Sequence, residues 1–145
     1  MGEAINISGL AQLVRVDPRY PGAWGAVVPY LREALEKGDG VRDWSERDIY
    51  QSAIDGRTEL WAVVTNGSVS GAMLTCVTRY PQRSVVEVIA AGADAHSDEN
   101  WLPLLEDLKN MARAIGATAI VGTGRNGWGR KLNATRTRVV WELDI

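Results

Sequence analysis

Gly124, Gly127 and Gly129 set three glycines within six residues, with Arg125, Arg130 and Lys131 among and beside them. Glycine permits a tight turn from strand to helix, and guanidinium groups grip a carboxylate or phosphate through paired donors. The stretch reads as an anion site or as a docking surface around Trp128. On the alternative reading Trp128 plugs the end of a sheet and the arginines face water. Glu87 is the one charge in Val85-Val86-Glu87-Val88-Ile89. A carboxylate there either takes up a proton in a reaction or points to the wet face of a half-buried strand. Histidine is the side chain suited to proton transfer near neutral pH, yet His96 stands in a polar loop with no partner near it in sequence and reads as exposed. Cys76, inside an apolar strand, reads as a buried filler.

Composition narrows the chemistry. One cysteine and one histidine in 145 residues exclude an intrachain disulfide, a thiolate cluster and a multi-histidine metal site. No metal is expected. No apolar run approaches the ~18 residues of a membrane span, and residues 1–22 lack the basic and apolar regions of a signal peptide. A reducing cytoplasm, or a particle assembled there, is the expected setting. The net charge of −2 hides an asymmetry: residues 109–140 hold seven of the sixteen bases and no acid, while residues 1–108 hold sixteen of the eighteen acids. Such a division suits a surface that faces an anion or a partner, or a solvated basic face balanced by acids folded over it. Nucleic acid is not the expected partner, because the basic stretch offers only Trp128 for stacking.

The elements that must position these groups follow from periodicity. Residues 1–22 read as irregular, although Ile5, Ile7, Leu10, Leu13, Val14 and Val16 allow a strand. Trp24, Val27, Val28, Leu31, Ala34 and Leu35 fall at helical spacing, closed by Lys37-Gly38. Ser45-Glu46-Arg47-Asp48 resembles a capping box opening a second helix that stops near Gly56. Strands are predicted over 59–65, 69–78 and 84–91, turning at Asn66-Gly67 and at 80–83. A long helix follows, with Trp101, Leu105, Leu108, Ala112 and Ile115 inward and Gly116 as its left-handed stop. Residues 118–123 predict a buried strand parallel to 84–91, 126–132 a short helix, and 138–143 a final strand. One domain over 1–145 is expected: an α/β (α+β) fold whose mixed, mostly antiparallel sheet carries helices on both faces.

This order resembles the GNAT (N-acetyltransferase) superfamily, and within it small GNAT-like proteins encoded in phage and prophage genomes. The resemblance lies in Trp24, Pro29 and Leu31-Arg32-Glu33-Ala34, in Ser45-Glu46-Arg47-Asp48-Ile49-Tyr50 and in Leu60-Trp61-Ala62-Val63. It continues through Thr78-Arg79-Tyr80-Pro81, Met111-Ala112-Arg113-Ala114-Ile115-Gly116-Ala117 and Gly124-Arg125-Asn126-Gly127-Trp128, and so covers residues 24–145.

The resemblance implies that the strand before the long helix splays from its parallel neighbour and that its backbone takes the pantetheine arm of acyl-CoA. It implies Glu87 as the base that deprotonates an amine. The family's tyrosine acid has no counterpart over 126–132; Tyr80 is the nearest alternative, unless it only turns the chain and packs on the core. A loop of pattern Arg/Gln-x-x-Gly-x-Gly/Ala should offer amides to the pyrophosphate. Residues 92–100 instead read Gly-Ala-Asp-Ala-His-Ser-Asp-Glu-Asn, with carboxylates at Asp94, Asp98 and Glu99.

On this resemblance the expectation is a phage-encoded GNAT fold with a degenerate acyl-CoA loop and no cofactor. It would act as a structural or interaction component of a virion or its assembly, located in the virion or host cytoplasm. Its partners would be other phage proteins, met through Trp128, Arg136 and Arg138. The alternative is an active acetyl- or acyl-CoA-dependent N-acyltransferase, with Glu87 and Tyr80 catalytic and Arg125, Arg130 and Lys131 on the phosphates.

Overall fold

The computed structural model describes residues 11–38, 43–94, 101–123, 133–135, 137 and 140–145, with Trp101 and Leu102 described in backbone only. In chain order the elements are β1 (Ala11–Arg15), α1 (Ala23–Lys37), α2 (Glu46–Ile54), β2 (Glu59–Thr65), β3 (Ser68–Arg79), β4 (Ser84–Ala93), α3 (Trp101–Ala114) and β5 (Ala119–Gly122). The five strands form one sheet in sequence order. Its first three pairings are antiparallel, and β4–β5 is parallel. The expected mixed sheet between helical layers is therefore present. Residues 11–15 are a strand, not part of an irregular segment: Leu13 packs inward while β2 supplies the ladder.

Local signals fix the helix ends. Ser45 Oγ accepts from the Asp48 amide at 3.1 Å, and Asp48 Oδ2 accepts from the Ser45 amide at 2.9 Å, completing the capping box. Donation to Asp48 Oδ2 from the Ser45 amide, and then from the Ser45 hydroxyl at 2.8 Å, holds the Asp48 carboxyl below its ordinary value of 3.8. A depressed carboxyl stabilises the fold above its unfolded pKa and loses that contribution as pH falls through the folded value. The stability gap between wild type and Asp48→Asn should therefore be full at pH 7 and shrink below about pH 4, read from urea midpoints.

Helix α3 ends as Gly116 predicts. Gly116 takes φ of 83°, its amide reaches Arg113 O at 3.1 Å, and the Ala117 amide reaches Ala112 O at 2.9 Å. That double closure is a Schellman stop. It also corrects one expectation. Ile115 falls on the capping residue and is exposed, and Ala117 takes the buried place beyond it. The inward stripe of α3 is Leu104, Leu108 and Ala112. Between β2 and β3, Asn66 and Gly67 both adopt positive φ, the geometry of the tight hairpin that their types demand.

Two apolar layers flank the sheet. On one face Trp61, Val63, Met73 and Val86 meet Leu104, Leu108 and Ala112 of α3. On the other, Leu60, Ala62, Ala72, Leu74 and Ala90 meet Val27, Leu31 and Leu35 of α1 and Ile49 of α2. Arg32 pairs with Glu46, tying α1 to α2 at the surface. Helix α1 crosses β4 at very short range: a Cβ added to Gly92 would lie 2.5 Å from the Tyr30 carbonyl oxygen. Hydrogen at this position admits the helix backbone to the strand.

The final strand expected over 138–143 is not formed over its described part. Residues 140–145 lie outside the sheet, with Val140, Trp141, Leu143 and Ile145 exposed. A strand needs a paired neighbour, and this segment has joined none of the five. No described helix is long and apolar enough to cross a membrane. Residues 1–10, the loop and cap over 95–100, and the short helix expected over 126–132 lie outside the described residues.

Candidate functional site

β4 is the strand on which chemistry converges. Before its middle, Val86 and Val88 face α3; after it, Ala91 and Ala93 do. The switch from even to odd positions occurs because Leu74 pairs with Ala90 and Thr75 with Val88, leaving Ile89 as an extra residue opposite β3. Ile89 and Ala90 consequently both pack toward α1. This is a β-bulge, which bends the strand and re-aims its side chains.

The parallel pairing to β5 runs from Val85–Ala119 to Val88–Gly122 and stops there. Past the bulged Ile89, residues 90–93 of β4 keep their ladder to β3, and residues 89–93 have no strand on the other side among the described residues. The unpaired edge begins at the bulge, and Glu87 lies two residues before it.

Glu87 projects from the face opposite Val86 and Val88, the side that carries α1 and α2, and is half-buried. It is not on an open wet face. Its register partner is Cys76. The Cys76 thiol donates to Glu87 Oε2 at 3.8 Å, and the Thr78 hydroxyl donates to the same oxygen at 3.5 Å. Both contacts are long, so they orient the carboxylate loosely and leave its other oxygen for a further donor. Burial first, and then the charge of Glu87, push the Cys76 thiol above its ordinary value. A raised thiol is a poor nucleophile, which agrees with its reading as a filler. Cys76 should react with a disulfide reagent at pH 8 more slowly than a free thiol, and Glu87→Gln should accelerate it; thiol-release kinetics measure both.

Two further groups close the α1 side. The Tyr30 hydroxyl donates to Val69 O at 3.2 Å, and burial, followed by the nearby Asp94, raises its pKa. Asp94 directly follows β4, and its amide donates to Ser70 O at 2.9 Å. Of the three carboxylates in 92–100 it alone is described, and it is exposed.

Tyr80 lies in the β3–β4 turn, where its amide donates to Arg83 O at 2.7 Å, and 43% of the residue is exposed. No hydrogen bond joins it to Glu87. Arg125, Trp128, Arg130, Lys131, Arg136 and Arg138 lie outside the described residues, as does His96. Among the described residues no group of His, Cys, Asp or Glu side chains could hold a metal ion.

The bulge was not anticipated from sequence, nor were the neighbours of Glu87. The neighbours had a usable signal. A turn over 80–83 pairs Arg79 with Ser84, and counting back along both strands sets Cys76 opposite Glu87. The close approach at Gly92 also had one, a glycine inside an otherwise apolar strand.

No family model matches this sequence, and no curated protein does. Solved structures do. One described as a probable acetyltransferase superposes with a TM-score of 0.71 at 12% identity, covering 92% of this chain and 98% of that one. A possible acetyltransferase from Clostridium difficile gives 0.68 at 10% identity over 94% and 98%. An aminoglycoside acetyltransferase from an uncultured soil sample, solved with sisomicin, gives 0.67 at 9% identity over 94% and 97%. At these identities the likeness is one of fold. The chain shares the fold of these structures across almost its whole length.

Proposed function

We propose that the chain is an N-acyltransferase that moves an acyl group from a coenzyme A thioester to an amine, with Glu87 as the base. One observation carries this reading: the β4–β5 ladder stops at Val88–Gly122, just past Glu87, and among the described residues no strand pairs with that side of β4 from the bulge onward. An extended chain bearing amides, such as a pantetheine arm, pairs naturally with an open strand edge. The thioester supplies the activated acyl carbon.

The residues present divide into three tasks. The edge at 89–93 offers backbone donors and acceptors along which the arm can align. Glu87 accepts the proton that an attacking ammonium must lose, since only the neutral amine is nucleophilic. Thr78 and Cys76 hold one of its oxygens, so that the other faces the incoming group. That the similar proteins above are described as acetyltransferases supports the assignment, as does the action of one of them on an aminoglycoside, a polyamine sugar.

A second reading has a specific observation of its own. The stretch 92–100 has no Arg or Gln and carries Asp94, Asp98 and Glu99. Carboxylates near a helix start stabilise that start and compete with a bound diphosphate. On this reading the fold is a silent scaffold in a larger assembly. The phage and virion setting for such a scaffold rests on sequence resemblance alone.

Calorimetric titration with acetyl-CoA separates the two readings. Micromolar binding, with amide shifts at 89–93, is expected for the transferase. No heat and no shift at millimolar donor would sink it. Free thiol released in the presence of a panel of primary amines then identifies the acceptor class.

A further inference from the structure

Building on the transferase reading, we infer that the amine acceptor carries a carboxylate at the end remote from its nitrogen, and that Arg83 binds that carboxylate. The register of β3 and β4 sets the geometry on the α1 side of the sheet. Cys76 stands opposite Glu87, and Thr78 opposite Val85. The Tyr80 amide donates to Arg83 O at 2.7 Å, which continues the ladder one rung past Arg79 and Ser84. Side chains alternate along a strand, so Arg83 shares the face of Val85 and Glu87, and Tyr80 that of Thr78 and Cys76.

The row thus runs from a carboxylate, past the apolar Val85, to a guanidinium with a phenol beside it. Along the strand the Cα atoms of Arg83 and Glu87 lie about 13 Å apart, and both side chains are long enough to shorten that gap. A linear amine of a few carbons spans what remains, with its nitrogen at Glu87 and its far end at Arg83. Glu87 is half-buried, whereas Arg83 is exposed and Tyr80 is 43% exposed, so the guanidinium end is the mouth of the row.

Arg19, Arg32, Lys37, Arg57 and Lys109 each pair with an acid of the chain. Arg83 makes no ion pair and no side-chain hydrogen bond among the described residues. A guanidinium left unpaired in a chain of net charge −2 keeps its fork of donors for an incoming anion. One guanidinium balances one charge, which suits a carboxylate over a phosphate dianion. Glu87, at the other end of the row, attracts the ammonium that must approach it. A second ammonium in place of the carboxylate would meet Arg83 as a like charge, so the same residue selects against diamines.

Three amines of matched length test this: ε-aminocaproate, n-hexylamine and hexamethylenediamine, which end in a carboxylate, a methyl and an ammonium. With acetyl-CoA saturating, thiol release should give ε-aminocaproate a kcat/KM at least about 10-fold above n-hexylamine, the scale of a charge-assisted pair, with hexamethylenediamine below both. Arg83→Gln should erase that advantage. Arg79→Gln, which removes an equal charge from the opposite face of the same hairpin, should retain it. Equal rates with the three amines, or a preference that survives Arg83→Gln, overturn the inference and leave the transferase reading standing. If acetyl-CoA binds and none of the three reacts, ε-aminocaproate must shift the amides of 83–87 in wild type and not in Arg83→Gln; absent shifts overturn it. A chain that does not bind acetyl-CoA loses the transferase reading and this inference together.

Discussion

Glu87→Gln is expected to lower kcat for acyl transfer by roughly 10²–10⁴-fold and to leave donor affinity within about threefold, the usual scale for loss of a positioned base. Glutamine matches the shape of glutamate and retains an oxygen for the Thr78 and Cys76 donors, so the fold should survive; a melting curve checks this. What disappears is the lone-pair oxygen with enough basicity to draw a proton from an ammonium. The residual rate should then follow the fraction of amine already neutral in solution, rising about tenfold per pH unit until the pKa of the amine is reached. Wild type should show a flatter profile over the same range. Steady-state rates across pH 6–10 at saturating donor measure both. An unchanged kcat would move the proton transfer to another group or to solvent.

Leu74→Ala is the second large effect, and it tests the frame rather than the chemistry. Leu74 is completely buried on β3, between Leu60 of β2 and Ala90 of β4, within the layer that holds Leu31 and Ile49. Removing three heavy atoms there leaves a void that the flanking ladders cannot close, since strands on both sides are held by hydrogen bonds. The expected loss is about 2–5 kcal/mol, a fall in Tm on the order of 10 °C for a chain of this size. Val14→Ala, at a position 44% exposed on β1, should cost far less. Equal costs at the two positions would mean that the apolar layer beneath α1 is not packed as described.

The parts of this fold written in local chemistry were legible in the sequence. Ser45 with Asp48, Asn66 with Gly67, and Gly116 each satisfy a backbone need within a few residues, so each marked its boundary. β4 was harder. It is covered by helices on both faces, so residues 85–93 are apolar or small throughout, apart from Glu87, and no alternation reveals where the phase changes. The bulge at Ile89 was therefore silent. Ile115 was misplaced for a related reason: the helical period continues one residue beyond the last turn, and only the left-handed stop decides which residue is covered. The strand expected over 138–143 shows the opposite failure. Its composition is right for a strand, but pairing depends on a neighbour that composition does not specify. Of the site, Glu87 was found from its charge in an apolar run, whereas Cys76 and Thr78 needed the register between two strands.

The meeting of Gly92 with the Tyr30 carbonyl has a mechanical implication. Main chain rests on main chain there, with no side chain between them to act as a cushion or a bearing. Helix α1 and strand β4 must therefore travel as a single stiff plate, and a ligand seated on one of them displaces the other with it.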